Sequence, residues 1–199
     1  MEEPIIQVLR VSAPAIVRSL NNHARRIKIG TRLYSSNSQG KKISYEKAQE
    51  STQSRDFDQL AVAYGMELET VQNYIANSVH LDGVRSDVIK KALAADVVVE
   101  VQHAQQLAQR IKTIGGTVPG SLALKPNQKS LQPPKDTTDV VAVIKGVIDA
   151  EESAIAQYEK IIKLCDGKDY VTQDMVITIL GSEEEHRREF IGFLKEYKS

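Results

Sequence analysis

The sequence predicts an all-α protein: a bundle of four long helices, built as two antiparallel hairpins with a long crossover between helices 2 and 3, and preceded by a basic N-terminal extension. Three observations carry this. Four segments within residues 54–199 repeat apolar residues at the three-and-four spacing of a buried helix face. Two of the joints between these segments are short, whereas the third is a proline-rich stretch of roughly 20 residues. Charge divides the chain near residue 50: residues 1–53 hold nine Lys/Arg and four Asp/Glu, and residues 54–199 hold 17 and 22. The net charge of zero over 199 residues excludes a uniformly basic nucleic-acid binder, and a single cysteine, Cys165, excludes CxxC zinc or redox motifs. No run of 18 apolar residues is present to span a membrane as a helix.

The first helix is expected from about Ser54 to Gly83, with Asp56 and Asp58 favouring its positive end. The second starts near Ser86, a good N-cap, and ends at Gly115-Gly116. The third runs from Thr137 or Thr138 to Asp166-Gly167, and the fourth from Thr172 almost to the C-terminus. The stretch from Val118 to Asp136 can reach ~60 Å at about 3.3 Å per residue. A helix of ~28 residues is only ~42 Å long, so this stretch can run the length of the bundle. Two antiparallel pairs joined by one long crossover is the ferritin-like arrangement.

The stripes show where chemistry sits. They read Leu60, Tyr64, Glu67, Val71, Tyr74; Ile89, Leu93, Asp96, Glu100, His103, Leu107, Ile111; Ile144, Ile148, Glu151, Ile155, Tyr158, Ile162; and Val176, Ile179, Glu183, His186, Phe190, Phe193. Each carries a glutamate at its middle, where a bundle should be apolar, and unpaired buried carboxylates are very costly. Glu67 and Glu100 are equidistant from the first turn, and Glu151 and Glu183 from the second. Each pair therefore meets across its hairpin. His103 and His186 follow Glu100 and Glu183 at i+3, on the same face. The halves also repeat: a tyrosine follows seven residues after Glu67 and after Glu151.

A Glu from each of two helices with Glu-x-x-His from each of the other two is the di-iron carboxylate pattern. Carboxylate oxygen and imidazole nitrogen suit iron or manganese, and four carboxylates balance two divalent cations. The chain from about Phe57 to Tyr197 resembles the bacterioferritins, most specifically over residues 170–186, from Tyr170-Val171-Thr172 to Glu185-His186. The segment from Glu67 to Tyr74 resembles the family's first-helix ligand segment. The resemblance implies that Glu67 and Glu151 are terminal ligands, that Glu100 and Glu183 bridge two irons, and that His103 and His186 each bind one. It implies oxidation of ferrous iron by dioxygen or peroxide, storage of ferric mineral and a homo-oligomeric shell. The family's haem-ligating methionine is replaced by Val101, so no haem is expected. Only 13 residues follow His186, with no fifth helix among them, so a shell of 12 or of 24 stays open.

Other residues have plainer readings. Asp96 reads equally as a neighbour of the cluster, a liner of an iron path or an ordinary partly exposed acid. Tyr74 and Tyr158 either bond a ligand carboxylate or pack in the core. His80 reads as a surface residue, His23 has no partner pattern, Glu152, Glu184 and Glu185 lie on a solvated face, and Cys165 is a small buried residue.

Residues 4–45 hold eight Lys/Arg and no acid, and admit three readings. Residues 1–34 are taken as a mitochondrial targeting segment, because Arg32-Leu33-Tyr34-Ser35 resembles a processing site. Residues 35–53 are then a linker, and the matrix is the expected location; otherwise the cytoplasm. The other two readings are a DNA-binding arm like that of the DNA-protecting mini-ferritins and a solvated extension. For the function as a whole, a ferroxidase is favoured over a rubrerythrin-like peroxidase, a DNA-protecting mini-ferritin and a structural bundle subunit.

Overall fold

The computed structural model describes residues 45–197, with side chains from Asp58 onward. The expectations for residues 1–34, for most of the linker and for His23 lie outside these. Among the described residues there are four long helices and no strand: α1 (Tyr45–His80), α2 (Asp87–Thr113), α3 (Val140–Cys165) and α4 (Tyr170–Tyr197). The arrangement is up-down-down-up. α1 packs chiefly on α2 and α3 on α4, and α1 meets α3 across the bundle. No helix among the described residues is long and apolar enough to cross a membrane.

Helix ends correct the sequence reading in detail. α1 begins at Tyr45, nine residues before Ser54. Residues 45–53 contain neither Gly nor Pro and include Glu46, Lys47, Ala48, Gln49 and Glu50, which all favour helix. Ser86 stands at the N-cap position of α2 without capping it; its hydroxyl donates back to the Gly83 carbonyl at 2.6 Å, closing a 3-10 turn over Val84–Ser86. Asp139, rather than Thr137 or Thr138, caps α3 by accepting from the Ala142 amide at 3.0 Å. Asp169 does the same for α4 through the Thr172 amide at 3.1 Å. The end of α2 behaves as expected. Gly115 has φ +93°, its amide bonds the Lys112 carbonyl, and the Gly116 amide bonds that of Ile111.

The crossover runs along α1 in the direction of that helix. Glu69 accepts the Asn127 and Gln128 amides at 2.8 Å each. Buried Gln128 accepts from Asn73 at 2.9 Å and donates to Thr70 at 2.6 Å, and Asn77 donates to the Leu131 carbonyl at 2.9 Å. On its other side the crossover lies on α3 at Gly146, where a Cβ would fall 2.4 Å from the Ser130 oxygen and 2.9 Å from Leu131 Cα. Only glycine admits that approach. Thr70 and Asn73 are thus buried, whereas Tyr64 and Val71, expected in the stripe, are half-buried.

The apolar core comes in two parts. One gathers Tyr74, Leu81, Ile89, Leu93, Leu131, Ile144, Val147 and Phe190. The other gathers Leu60, Leu107, Ile111, Tyr158, Ile161, Cys165, Val176 and Ile179. Between them along every helix lies a polar layer.

Candidate metal centre

Helical periodicity puts one glutamate of each helix into that layer, and the i+3 step adds a histidine on α2 and on α4. All six expected residues, Glu67, Glu100, His103, Glu151, Glu183 and His186, are buried, with between 1% and 8% of their surface exposed. They form two overlapping groups, Glu67-Glu100-His103-Glu183 and Glu100-Glu151-Glu183-His186, whose ligand atoms lie within 4.8 Å of one another. Glu100 and Glu183 belong to both. His103 Nδ1 lies 2.8 Å from Glu183 Oε1, 3.4 Å from Glu100 Oε2 and 3.9 Å from Glu67 Oε2. His186 Nδ1 lies 3.1 Å from Glu100 Oε1, 3.3 Å from Glu183 Oε2 and 4.0 Å from Glu151 Oε1. The geometry thus has a twofold character, with one imidazole on each side of a shared pair of carboxylates.

These approaches are close but not directed along hydrogen bonds. Nδ1 of both histidines and all four oxygens of Glu100 and Glu183 have no hydrogen-bond partner. Six orphaned, converging donor atoms in a dry layer are a heavy cost unless a cation joins them. Oxygen and imidazole nitrogen donors in this number fit a pair of divalent ions of the iron or manganese kind. The two outer carboxylates are held differently. The Tyr74 hydroxyl of α1 donates to Glu151 of α3, and the Tyr158 hydroxyl of α3 donates to Glu67 of α1. Both tyrosines are therefore core residues and carboxylate partners at once.

The electrostatics follow from crowding. Burial pushes the carboxyls of Glu67 and Glu151 well above the usual range, and the charges of Glu100 and Glu183 push further. Burial also pushes Glu100 up, but the two imidazoles outweigh it and hold this group well below the ordinary carboxylate range. Burial pulls His103 down, yet Glu100, Glu183 and Glu67 hold it at about 12; His186 is held at about 11 by Glu100 and Glu183 against the same pull. Without metal, two imidazolium protons thus supply positive charge to the layer. Burial lifts the phenols of Tyr74 and Tyr158, helped by Glu151 and Glu67 respectively. Asp96, one turn before Glu100, is pushed up to about 6, by burial first, with His186 opposing.

Among the remaining residues, His80 is exposed beside the Pro134 carbonyl, 2.8 Å from its Nε2. Glu152, Glu184 and Glu185 are exposed and Cys165 is buried, as the sequence indicated. One brace was not foreseen. Arg110 near the end of α2 pairs with both oxygens of Asp169, at 2.7 and 2.8 Å, and donates to Thr172 Oγ1 at 2.7 Å. A cap residue with a second role leaves no distinct sequence signal.

A four-helix bundle whose polar middle layer holds four glutamates and two histidines defines a ferritin-like protein with a carboxylate-histidine centre. The chain belongs to the ferritin family: residues 57–199 match the model of the ferritin-like domain. It is 27% identical over 134 residues to the DNA protection during starvation protein of Pyrococcus furiosus, covering 66% of this chain and 72% of that one. Among solved structures it resembles the bacterioferritin-related protein of Bacteroides fragilis, described as a dodecameric thioferritin. That likeness has a TM-score of 0.64 and 24% identity, over 75% of this chain and 95% of the other. It also resembles the bacterioferritin of Desulfovibrio desulfuricans, whose structure concerns its diiron site, with a TM-score of 0.62 and 22% identity, over 75% and 84% of the two chains. At these identities the two structures speak for the fold.

Proposed function

We propose that the chain is a ferroxidase of the bacterioferritin-like type. In this reading Glu67 and His103 hold one metal position and Glu151 and His186 the other, with Glu100 and Glu183 between the two. The observation that carries it is the set of orphaned Nδ1 and carboxylate atoms converging from α2 and α4. Ferrous iron is the substrate, and two ferrous ions supply the two electrons that take dioxygen to peroxide, or peroxide to water. The residues contribute position and charge. Four carboxylates neutralise two divalent ions, and the Tyr74 and Tyr158 hydroxyls fix the outer carboxylates. Loading must displace the protons of His103 and His186, so uptake releases acid.

A homo-oligomeric shell accompanies this reading, supported by the dodecamer named for the Bacteroides relative. The Pyrococcus relative favours one variant, in which iron oxidation protects DNA. The named relatives are prokaryotic and lend nothing to a mitochondrial location. The deciding experiment is anaerobic loading of the full chain with ferrous iron followed by oxygen or peroxide. Two irons per chain, oxidised fast, support the reading, and hundreds per particle extend it to storage. An inert protein without bound metal overturns it. A gel shift of duplex DNA that weakens steeply with salt supports the DNA-protecting variant.

A further inference from the structure

The helices are tied across the bundle in two different ways. α1 and α3 are joined at the polar layer itself, where the Tyr74 and Tyr158 hydroxyls cross to Glu151 and Glu67. Gln157 of α3 adds a bond to the Gln59 carbonyl of α1 at 2.9 Å. α2 and α4 carry the rest of the layer, both histidines and the two shared carboxylates. The facing atoms of those four side chains make no hydrogen bond there. Backbone contact between α2 and α4 is also sparse beside that within either hairpin.

Two ties join α2 to α4, one towards each end of the seam. At one end Arg85, in the turn before α2, lies over the Tyr197 ring of α4, 4.9 Å from its centroid, and its carbonyl accepts from the Tyr197 hydroxyl. At the other, Arg110 of α2 grips the start of α4. Its Nη2 lies 2.7 and 2.8 Å from the two oxygens of Asp169, and its Nε donates to Thr172 Oγ1 at 2.7 Å. Asp169 in turn accepts from the Thr172 amide and hydroxyl. A planar guanidinium holds two such partners at a fixed spacing, and the charge strengthens the hold. Arg110 is also the nearer tie. It stands seven residues past His103, ~10 Å along the helix axis, whereas Arg85 stands fifteen residues before Glu100. A grip so close to the layer limits how far α2 and α4 can part or slide where Glu100 and His103 face Glu183 and His186.

We propose that Arg110 is a positioning residue for the metal layer: its grip on Asp169 and Thr172 sets the separation of α2 and α4, and with it the spacing of the ligands those helices carry. The inference rests on the function proposed above. Arg110 acts through the two helices. Without it the shared carboxylates spread, and both positions weaken, because Glu100 and Glu183 belong to both.

The test uses cobalt(II) as a redox-inert probe, titrated without oxygen into the full-length protein and followed by its visible absorption. The wild type should take two equivalents per chain. Arg110→Gln and Asp169→Asn should each bind cobalt about tenfold more weakly, with altered visible bands, since loss of a supporting residue that orients ligands costs metal affinity on that scale. Asparagine keeps the helix cap while losing the ion pair, so α4 still starts at the same place. Gly146→Ala serves as a control that loses stability at the crossover and should keep the wild-type affinity and bands. Thermal melts confirm that each protein is folded at the titration temperature, and Asp169→Asn decides alone if Arg110→Gln does not fold. Affinity and bands in the folded variants no different from those of Gly146→Ala make the Arg110 grip purely structural and overturn the inference, with the layer intact. A wild type that binds no cobalt overturns the proposed function as well.

Discussion

Two polar regions are buried in this bundle, and they are opposites. Along the crossover, Thr70, Asn73 and Gln128 spend their hydrogen-bonding groups on one another, and Asn77 donates to the backbone. In the middle layer, Glu100, Glu183, His103 and His186 leave six atoms unpartnered. Burial is similar in both; satisfaction is not, since along the crossover Asn77 Oδ1 alone among these side-chain groups is left without a partner. A satisfied buried network fixes the path of a chain, whereas a dry layer of orphaned atoms makes sense as the receptor of something else. The contrast separates structural polarity from functional polarity within one molecule.

The strongest way to break the contrast is to remove a shared carboxylate. Glu100→Ala and Glu183→Ala should each abolish fast ferrous oxidation, a loss of at least about a hundredfold, because each removes an electrostatic contact to both metal positions. The helical fold should survive. Stopped-flow oxidation at the wild-type rate in both variants would falsify the assignment.

The second test exploits protons. In metal-free protein, His103 and His186 are held at about 12 and 11, against 6.5 for an ordinary imidazole. Glu67 and Glu151 are also raised. Raised groups retain protons that the unfolded chain has lost, so the stability they add is complete below pH 6.5 for the histidines and below pH 4.5 for the glutamates, and drains away as pH rises. Chelator-treated protein should therefore lose up to about 1.4 kcal/mol per pH unit for each retained proton, between about pH 6.5 and 9. Metal-loaded protein should show the reverse trend, since loading requires deprotonated ligands. Melting curves across that range, with and without metal, check the sign.

Smaller effects belong to the satisfied region. Gly146→Ala forces a methyl onto Ser130 and Leu131 backbone and should cost about 1–3 kcal/mol. Asn73→Ala leaves the Gln128 side-chain oxygen Oε1 without its donor and should cost about 1–2 kcal/mol. Both changes should lower the denaturation midpoint and leave the metal stoichiometry at the wild-type value. A change in stoichiometry would show that the two regions are not independent.

The sequence announced the layer far better than the crossover. Glu-x-x-His occurs twice, opposite two lone glutamates at matched heights, and such residues in an apolar stripe have few alternative explanations. Each of those six side chains is in the layer. Thr70 and Asn73 were legible only as polar gaps beside Val71 and Tyr74, since nothing local indicates that an extended segment 55 residues later will cover them. Asp169 failed for a related reason. Its helix-capping role is local, but its pairing with Arg110 depends on how α2 and α4 come together. The early start of α1 reflects intrinsic propensity continuing past the last visible stripe residue.

The division of the apolar core into two parts has a mechanical consequence. Among the described residues the halves are two separate clusters of buried apolar side chains, so the middle layer is the joint that makes them one cooperative unit. Filled, the joint is stiff, and the bundle should open as a whole. Emptied, it becomes the plane along which water first enters. Amide hydrogen exchange of chelated protein should then lose protection around Glu67, Glu100, Glu151 and Glu183 before it does at Leu93 or Val176, which lie deep in the two halves. Iron in this bundle would be cargo and rivet together: each departure of the ions would loosen the layer that receives the next pair.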